Sequence, residues 1–347
     1  MTVDEPTRER ELTEPVDLCS ADGRRLNPEA RGWSRLPLHT TNLNGVWGRT
    51  KRWDYWAVQS SEFVVSVVLA DIDYIGLATI EWIDLRSHES GGRTATIPLA
   101  SGVELPDRPC EGQLSYVGKK LEVNIEYDPE ATRLRAEWTE PDGSTGSFDV
   151  SVAKPTGHES LNVVIPWSGK RFQFTSKHQG LPATGRVVLA DRVIEIGGEA
   201  GDAWGILDIG RGRWPYRTNW NWGGGAGHTS DGHHVALQFG AKWTEGTGFT
   251  ENGIFIDGRL HKIGEEVDWQ YEWDDPMKPW TVRSEDGALD VTLVPVHDRH
   301  ARTNLGAVMN EVHQVFGSWS GTVPDGAGST LTIEGALGFA EESRSRW

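Results

Sequence analysis

Apolar and polar residues alternate strictly in the segment LEVNIEY, residues 121–127, so one face of an extended chain would be apolar. Short runs rich in β-branched residues occur in FVVSVVL at 63–69, RVVL at 186–189 and LDVTLV at 289–294. Both patterns are typical of strands. Amphipathic helical patterns of ten or more residues are hard to find among 41 glycines and 17 prolines. The sequence therefore predicts an all-β protein.

Asp-Gly pairs separate many of these segments, and several lie between two strand-like runs, as hairpin turns do. Antiparallel strands joined by short turns commonly close into sandwiches or barrels, because closure removes exposed strand edges. We expect two antiparallel lipocalin-like (calycin) β-barrel or barrel-like domains, with less helix than about a quarter of the chain. The pairs begin at Asp22, Asp142, Asp231, Asp257, Asp286 and Asp325.

A chain of 347 residues is long enough for two domains with separate cores. We expect an irregular N-terminal arm over residues 1–45 and a first β-barrel-like domain over 46–180. The segment from 176 to 184 contains glycine and proline and is expected to be a turn-rich connection. A second β-barrel domain, with the candidate ligand site, would then cover 181–347.

The formal net charge of −17 argues against nucleic acid as a partner, since binding phosphates requires a sustained basic surface. The nearest basic run is Arg49, Lys51 and Arg52, which we interpret as the solvated face of a strand. Cys19 and Cys110 have no spacing typical of a disulfide framework or a zinc site.

The N-terminal residues are polar and acidic, and the longest apolar run, at 63–70, is too short to cross a bilayer. We therefore expect no secretory signal and no transmembrane segment. The expected location is cytoplasmic.

Four tryptophans and several charged residues are concentrated in the stretch GDAWGILDIGRGRWPYRTNWNW, residues 201–222. Ligand sites commonly combine aromatic walls with a few convergent polar groups. We expect the principal ligand cavity to lie in the second domain, lined by residues between Trp204 and Trp243. The alternative for most of the 17 tryptophans is a place in the barrel core.

Asp208 follows the apolar residues 203–207 and precedes a glycine-rich bend that carries Arg211 and Arg213. At a barrel mouth, aromatic surroundings would raise its pKa and let it donate a proton, whereas a nearby arginine would keep it ionised. The alternative is an Asp–Arg ion pair that fixes the turn at Gly210–Gly212.

Glu251 precedes a strand-like segment and could be a second carboxylate beside Trp243, forming an acid/base site with Asp208. The alternative is a solvated turn in which Asn252 bonds backbone groups. The candidate catalytic residues are Asp208, Glu251 and Arg211. The candidate ligand-binding residues are aromatic and polar side chains of the same region: Trp204, Arg213, Trp214, Asn219, Trp220, Trp222, Trp243 and Asn252.

Histidines occur near one Asp-Gly turn at 228, 233 and 234, and with His-x-x-His spacing at His297 and His300. Neither group has the further ligands of a metalloenzyme signature, so we predict no bound metal. The triplet at 223–225 is interpreted as a flexible turn, and no nucleotide-binding fingerprint occurs. We therefore predict no cofactor.

The blocks KRWDYW at 51–56 and GRGRWPY at 210–216 are specific, and their pattern resembles domain-of-unknown-function family 2804 over nearly the whole chain. Other parts of the pattern are Leu18-Cys19 with Gly23 and Leu26, WSR at 33–35, Pro37-Leu38, Asp208-Ile209, WNW at 220–222, TEN at 250–252 and DGRL at 257–260.

More remotely, the second half is similar to the double-lipocalin (calycin) group of hydroxyneurosporene synthase, a carotenoid hydratase, and the AttH-like proteins. GDAW at 201–204 matches the Gly-x-Ala-Trp block of that group. The Asp-His pair that follows there is absent, because Ile209 comes after Asp208. The resemblance implies two lipocalin-like barrels, but the hydratase's acid chemistry does not carry over intact.

We hypothesise an enzyme that acts on a hydrophobic, isoprenoid or lipid-like small molecule by acid-assisted hydration, isomerisation or cyclisation. Tryptophan faces would stabilise the cationic centre through cation–π attraction. The alternatives are a non-catalytic lipocalin-like binding protein and a carbohydrate-active protein with paired carboxylates. Inward-facing acids in an apolar site favour the first hypothesis, no inward acids the second, and an open groove with exposed tryptophans the third.

Overall fold

The computed structural model describes residues 9–304 and 309–346, and most of these residues lie in antiparallel strands. The helical elements of this described part are two short 3-10 turns, Pro28–Ala30 and Gly198–Ala200. None of its helices is long and apolar enough to cross a membrane. The predicted all-β class, with two antiparallel barrel-like sheets, is confirmed.

The first sheet curls so that its two ends approach each other, and it encloses an apolar core around Trp56 and Phe63. Three short strands belong to the arm: β1 Val16–Asp17, β2 Trp33–Ser34 and β3 His39–Thr40. The next strands are β4 Thr50–Ser60, β5 Phe63–Asp71, β6 Ile75–Asp84, β7 Ser90–Pro98, β8 Gly112–Val117, β9 Leu121–Tyr127, β10 Ala131–Thr139, β11 Thr145–Ala153, β12 Leu161–Ile165, β13 Phe172–Leu189, β14 Arg192–Ile196 and β15 Ala203–Arg213. The order across the sheet is β7-β6-β5-β4-β15-β13-β11-β10-β9-β8, while β12 and β14 pair with β13.

The second sheet surrounds a separate core that contains Trp280 and Trp319. Its strands are β16 Arg217–His228, β17 His234–Ala241, β18 Asn252–Ile256, β19 Arg259–Ile263, β20 Asp268–Gln270, β21 Trp280–Arg283, β22 Asp290–Asn304, β23 Met309–Pro324 and β24 Thr330–Arg346. They are ordered β19-β18-β17-β16-β24-β23-β22-β21-β20.

Five of the six Asp-Gly pairs form the expected hairpin turns. The pairs at Asp142, Asp231, Asp257, Asp286 and Asp325 each connect two consecutive, hydrogen-bonded strands. Their glycines adopt positive φ angles, which glycine tolerates without steric cost. The pair at Asp22 lies instead in the arm, in a turn closed by Ser20.

The expected turn-rich connection at 176–184 is wrong, because these residues lie inside the long strand β13. A register shift between His178 and Leu181 marks a bulge, and Gly180 within it has φ +67°. A bulge bends a strand without ending it. The part of β13 before the bulge pairs with β12, and the part after it pairs with β11 and β14. The change from first to second sheet comes between Arg213 and Arg217, whereas the proposed domain division at 180/181 lies within β13.

The glycine-rich segments 210–212 and 223–225 are also strand, in β15 and β16, and not a bend or a flexible turn. A side chain at Gly210 would collide with the Trp53 ring, and one at Gly224 would collide with Gln179. Glycine occupies these positions because neighbouring side chains lie directly over the backbone.

The arm packs against the first sheet. Its residues Leu18 and Leu26 share an apolar cluster with Phe172 and Phe174. Arg213 at the end of β15 donates hydrogen bonds from Nη2 to the arm's carbonyl oxygens of Gly23 and Asn44, at 2.5 and 2.9 Å.

Strand β15 is buried along its whole length, with one face toward the first core and the other toward the second sheet. On the first face, Arg211 donates from Nη2 to Asp54 Oδ1 at 2.6 Å, and both side chains are completely buried. The Tyr127 hydroxyl donates to the other oxygen of Asp54 at 2.6 Å. The pair thus stays charged inside an apolar core only because each partner is compensated.

We expect Asp54→Asn to lower the free energy of unfolding by about 3–5 kcal/mol, because it leaves the buried Arg211 cation without a counter-charge. Pairing it with Arg211→Met would recover part of this loss. Urea unfolding measures both variants. Asp149→Asn is the control, since it breaks a surface ion pair with Arg133 and is expected to cost less than about 1 kcal/mol. Equal losses for Asp54→Asn and Asp149→Asn would contradict the prediction.

Candidate functional site

The two faces of β15 separate the residues that the sequence grouped together. Successive side chains of a strand point to opposite faces, so Asp208 faces the second sheet while Arg211 and Arg213 face away from it. The expected contact of Asp208 with either arginine is therefore wrong. Asp208 also lies in the middle of a strand rather than at a barrel mouth.

Lys177 is the partner of Asp208. It lies directly opposite on β13, and residues opposite each other in an antiparallel pair share a face. The distance from Lys177 Nζ to Asp208 Oδ1 is 2.9 Å, and both side chains are almost fully buried. The Thr175 hydroxyl donates to Oδ1, and the Trp53 indole N–H donates to Oδ2, each at 3.0 Å. Asp208 thus has one cationic partner and two hydrogen-bond donors.

Glu251 approaches the same lysine from the second sheet, immediately before β18. Its Oε2 is 3.4 Å from Lys177 Nζ, and its Oε1 accepts a 2.6 Å hydrogen bond from the Trp243 indole. The predicted proximity of Glu251 to Trp243 and Asp208 is therefore present in the structure. Burial is the main cause that raises the pKa of Glu251 to about 7, and the Asp208 charge adds to this rise while Lys177 opposes it.

A third carboxyl of the site, Glu341 on β24, was not identified from the sequence. It accepts hydrogen bonds from the Trp220 indole at 2.8 Å and from the Gln314 amide at 2.9 Å. Burial raises its pKa to about 7; the Trp220 hydrogen bond and the charges of Arg299 and Lys177 oppose this rise, and the Asp208 charge adds to it. The segment around Glu341 contains several charged residues, so it resembles an exposed strand.

Tryptophans surround these carboxyls. Trp214 stacks on Trp243 at 5.5 Å between ring centroids and meets the rings of Trp53, Trp167 and Trp220 at 5.2 to 5.8 Å. We call these five residues the tryptophan cluster. Trp214 and Trp243 are buried, whereas Trp53, Trp167 and Trp220 are half-buried and form its solvent-facing side.

A sixth tryptophan, Trp222, presents its ring to the lysine. Lys177 Nζ lies 4.3 Å from the Trp222 ring centroid, which is cation–π geometry. The site therefore already contains an aromatic face that stabilises a positive charge.

Several predicted residues lie outside this site. Arg211 and Arg213 are on the opposite face of β15, and Asn219 is exposed. Trp204 packs against His234, at 4.7 Å between ring centroids. Asn252 is buried beside Glu251, but it accepts from the Gly240 amide and donates to the Glu265 carbonyl, which is the backbone-bonding alternative.

Two cavities of about 470 and 480 Å³ lie away from the tryptophan cluster. The first is lined by the turn between β8 and β9, which carries Lys119 and Lys120, and by residues of β9, β10, β11 and β13. The second lies between the arm and the first sheet. Neither is the tryptophan-lined cavity predicted between Trp204 and Trp243, since no tryptophan of that range lines them and Arg213 is the one residue of the range that lines the second.

The raised pKa values of Glu251 and Glu341 make the free energy of unfolding depend on pH. Glu251 and Glu341 have pKa values near 7 in the folded chain, against an ordinary 4.5, so between these values the folded chain binds more protons than the unfolded chain. Their stabilising contribution is complete below pH 4.5 and is lost as the pH rises through about 7. We expect the double variant Glu251→Gln/Glu341→Gln to abolish this loss, of order 2 kcal/mol per carboxyl between pH 5 and 8.

Urea unfolding of wild type and variant at both pH values checks this prediction. Burial lowers the pKa of His178 to about 3 and of His234 to about 4, which changes stability in the opposite direction in both proteins. The difference between the proteins therefore isolates the carboxyls. The same pH dependence in both would show that neither glutamate has a raised pKa.

Three solved structures match most of this chain at low sequence identity. CghA with Sch210972 has 10% sequence identity and a TM-score of 0.46, covering 95% of this chain and 96% of its own. Kievitone hydratase from Nectria haematococca has 11% identity and a TM-score of 0.48, covering 86% and 89%. An AttH-like protein from Nitrosomonas europaea has 11% identity and a TM-score of 0.42, covering 85% and 92%.

No curated protein matches the chain by sequence. Residues 9–347 match the domain of unknown function DUF2804. This range includes both motif blocks, at 51–56 and at 210–216. The predicted resemblance is thereby confirmed, and the chain belongs to the DUF2804 family.

Proposed function

We propose that the protein is an enzyme that transfers protons to and from a hydrophobic, unsaturated small molecule at the tryptophan cluster. The observation that carries the proposal is the placement of Glu251 and Glu341, two buried carboxyls with pKa near 7, beside a Lys177–Asp208 ion pair. Hydration, isomerisation and cyclisation of an isoprenoid or lipid-like alkene all begin with such a transfer.

Proton donation requires an acid that is still protonated at neutral pH. A carboxyl with pKa near 7 is present in both forms there, which suits it to general acid and general base catalysis alike. Glu341 is the better donor candidate, because it is slightly more exposed than Glu251 and lies behind the half-buried Trp220. A substrate would reach Glu341 by displacing the Trp220 ring.

The carboxyls of the site supply both the proton donor and the proton acceptor that these reactions need. One carboxyl gives its proton to an alkene carbon, which leaves a cation on the adjacent carbon. In hydration, water bonds to that carbon and its proton passes to the second, ionised carboxylate. In isomerisation or cyclisation, that carboxylate takes a proton from carbon instead. Tryptophan faces would stabilise the cation, as Trp222 already does for Lys177.

Asp208 serves in this proposal as an anchor and not as the acid. Its two carboxylate oxygens are held by Lys177, Thr175 and Trp53. Its negative charge in turn raises the pKa of Glu251 and Glu341. The carbohydrate alternative gains less support, because Trp214 and Trp243 are buried and the other three rings of the cluster are half-buried, so that none of the five is a fully exposed platform for a sugar.

The test is isotope incorporation. The protein is incubated with a panel of terpene alkenes and unsaturated fatty acids in D₂O containing H₂¹⁸O, and recovered compounds are analysed by mass spectrometry. Hydration adds deuterium and ¹⁸O, whereas isomerisation and cyclisation introduce deuterium alone. We expect Glu341→Gln to reduce incorporation by about 10²- to 10⁴-fold, the usual contribution of a general acid or base.

Glu342→Gln is the matched control. Glu342 is the next residue on β24 and is also buried, but it faces away from the cluster and bonds Lys242 and Tyr271. It should leave incorporation unchanged. A ligand that binds with no incorporation in wild type would favour the non-catalytic binding protein, and equal losses in both variants would refute the assignment of Glu341.

A further inference from the structure

A cleft of about 480 Å³ between the arm and the first sheet carries a concentration of positive charge that is unusual for this acidic chain. Asp22 is the acidic side chain on its wall, beside Val46. The cationic side chains that line it come from three separate parts of the sequence: Arg24, Arg25, Lys170, Arg171 and Arg213.

Arg213 is fully buried and still lines the cleft, so it forms part of its floor. Its Nη2 is bonded to arm carbonyls, but its Nε and Nη1 have no hydrogen-bond partner among residues 9–304 and 309–346. The neighbouring Cys19 thiol supplies no charge, because burial raises its pKa to about 11. A buried guanidinium with free donors and no ion pair is costly unless an anion approaches it.

The other cations are uncompensated as well. Within the described chain, no carboxylate forms an ion pair with Arg24, Arg25, Lys170 or Arg171. Burial and the nearby Arg49 charge both lower the pKa of Arg171. Burial is the main cause that lowers the pKa of Arg213; Arg52 and Arg171 add to it, whereas Cys19 and Asp73 oppose it. Asp22 does not balance them all, since it is one carboxylate among five cations; hydrogen bonds from the Ser20 hydroxyl and the Arg24 amide lower its pKa.

We propose that this cleft binds the phosphate or diphosphate group of a small molecule. Arginine guanidinium groups match phosphate oxygens in a two-pronged arrangement, and phosphate provides enough negative charge to balance several cations. The exposed Arg24, Arg25 and Lys170 would contact the ligand, and Arg213 would add its charge from below. The site is separate from the tryptophan cluster and does not depend on the function proposed there.

Isothermal titration calorimetry with inorganic pyrophosphate and, separately, inorganic phosphate tests the site. We expect saturable binding of pyrophosphate to wild type, weakened at least about tenfold in Lys170→Gln/Arg171→Gln by the loss of charge-assisted contacts. Asp22→Asn should bind more tightly, because it removes the negative charge on the wall. Tighter binding of pyrophosphate than of phosphate would identify a diphosphate site, and the reverse a monophosphate site.

Lys119→Gln/Lys120→Gln is the matched control, because these two neighbouring lysines line the other cavity of similar size. Its affinity for pyrophosphate should equal that of wild type. A wild-type dissociation constant above about 1 mM for both pyrophosphate and phosphate would overturn the proposal. So would equal weakening in both double variants, which would show a general charge effect.

Discussion

The structure depends on a strand that is buried on both faces. In β15 the side chains alternate between the core of the first sheet and the interface with the second sheet, so each face needs its own charge compensation. Arg211 pairs with Asp54 on one face, and Asp208 pairs with Lys177 on the other. Because the strand holds both pairs, a shift of register by one residue would leave all four charges uncompensated.

The interface side of β15 has fewer cations than carboxyls close together. Lys177 contacts both Asp208 and Glu251, and its charge also reaches Glu341. Ionising a further buried carboxyl beside an existing carboxylate is unfavourable, so the glutamates keep their protons to higher pH. The tryptophan indoles donate hydrogen bonds to all three carboxyls and exclude water from them. The raised pKa values of Glu251 and Glu341 are thus a consequence of packing two sheets face to face.

The cleft beside the arm shows the opposite imbalance. Arg213 ends β15 on the face away from the tryptophan cluster, and its charge adds to those of four cations from the arm and from the turn before β13. One strand therefore contributes to a site with excess carboxyl groups on one side and to a site with excess cations on the other. The arm completes the second site through the carbonyl groups of Gly23 and Asn44, which fix the guanidinium in place.

Local sequence determined the strands and their turns, because the alternation at 121–127 and the Asp-Gly hairpins depend on neighbouring residues only. It also indicated Asp208, Glu251 and the tryptophans as one region. The tertiary structure alone decided which charges meet: Lys177 and Glu341 lie far from Asp208 in sequence and reach it through strand register and sheet packing. The sequence also predicted turns or bends around the glycines at 180, 210 and 224, which lie in strands. Neighbouring atoms lie over the backbone at each of these glycines, and only the packed sheets show this.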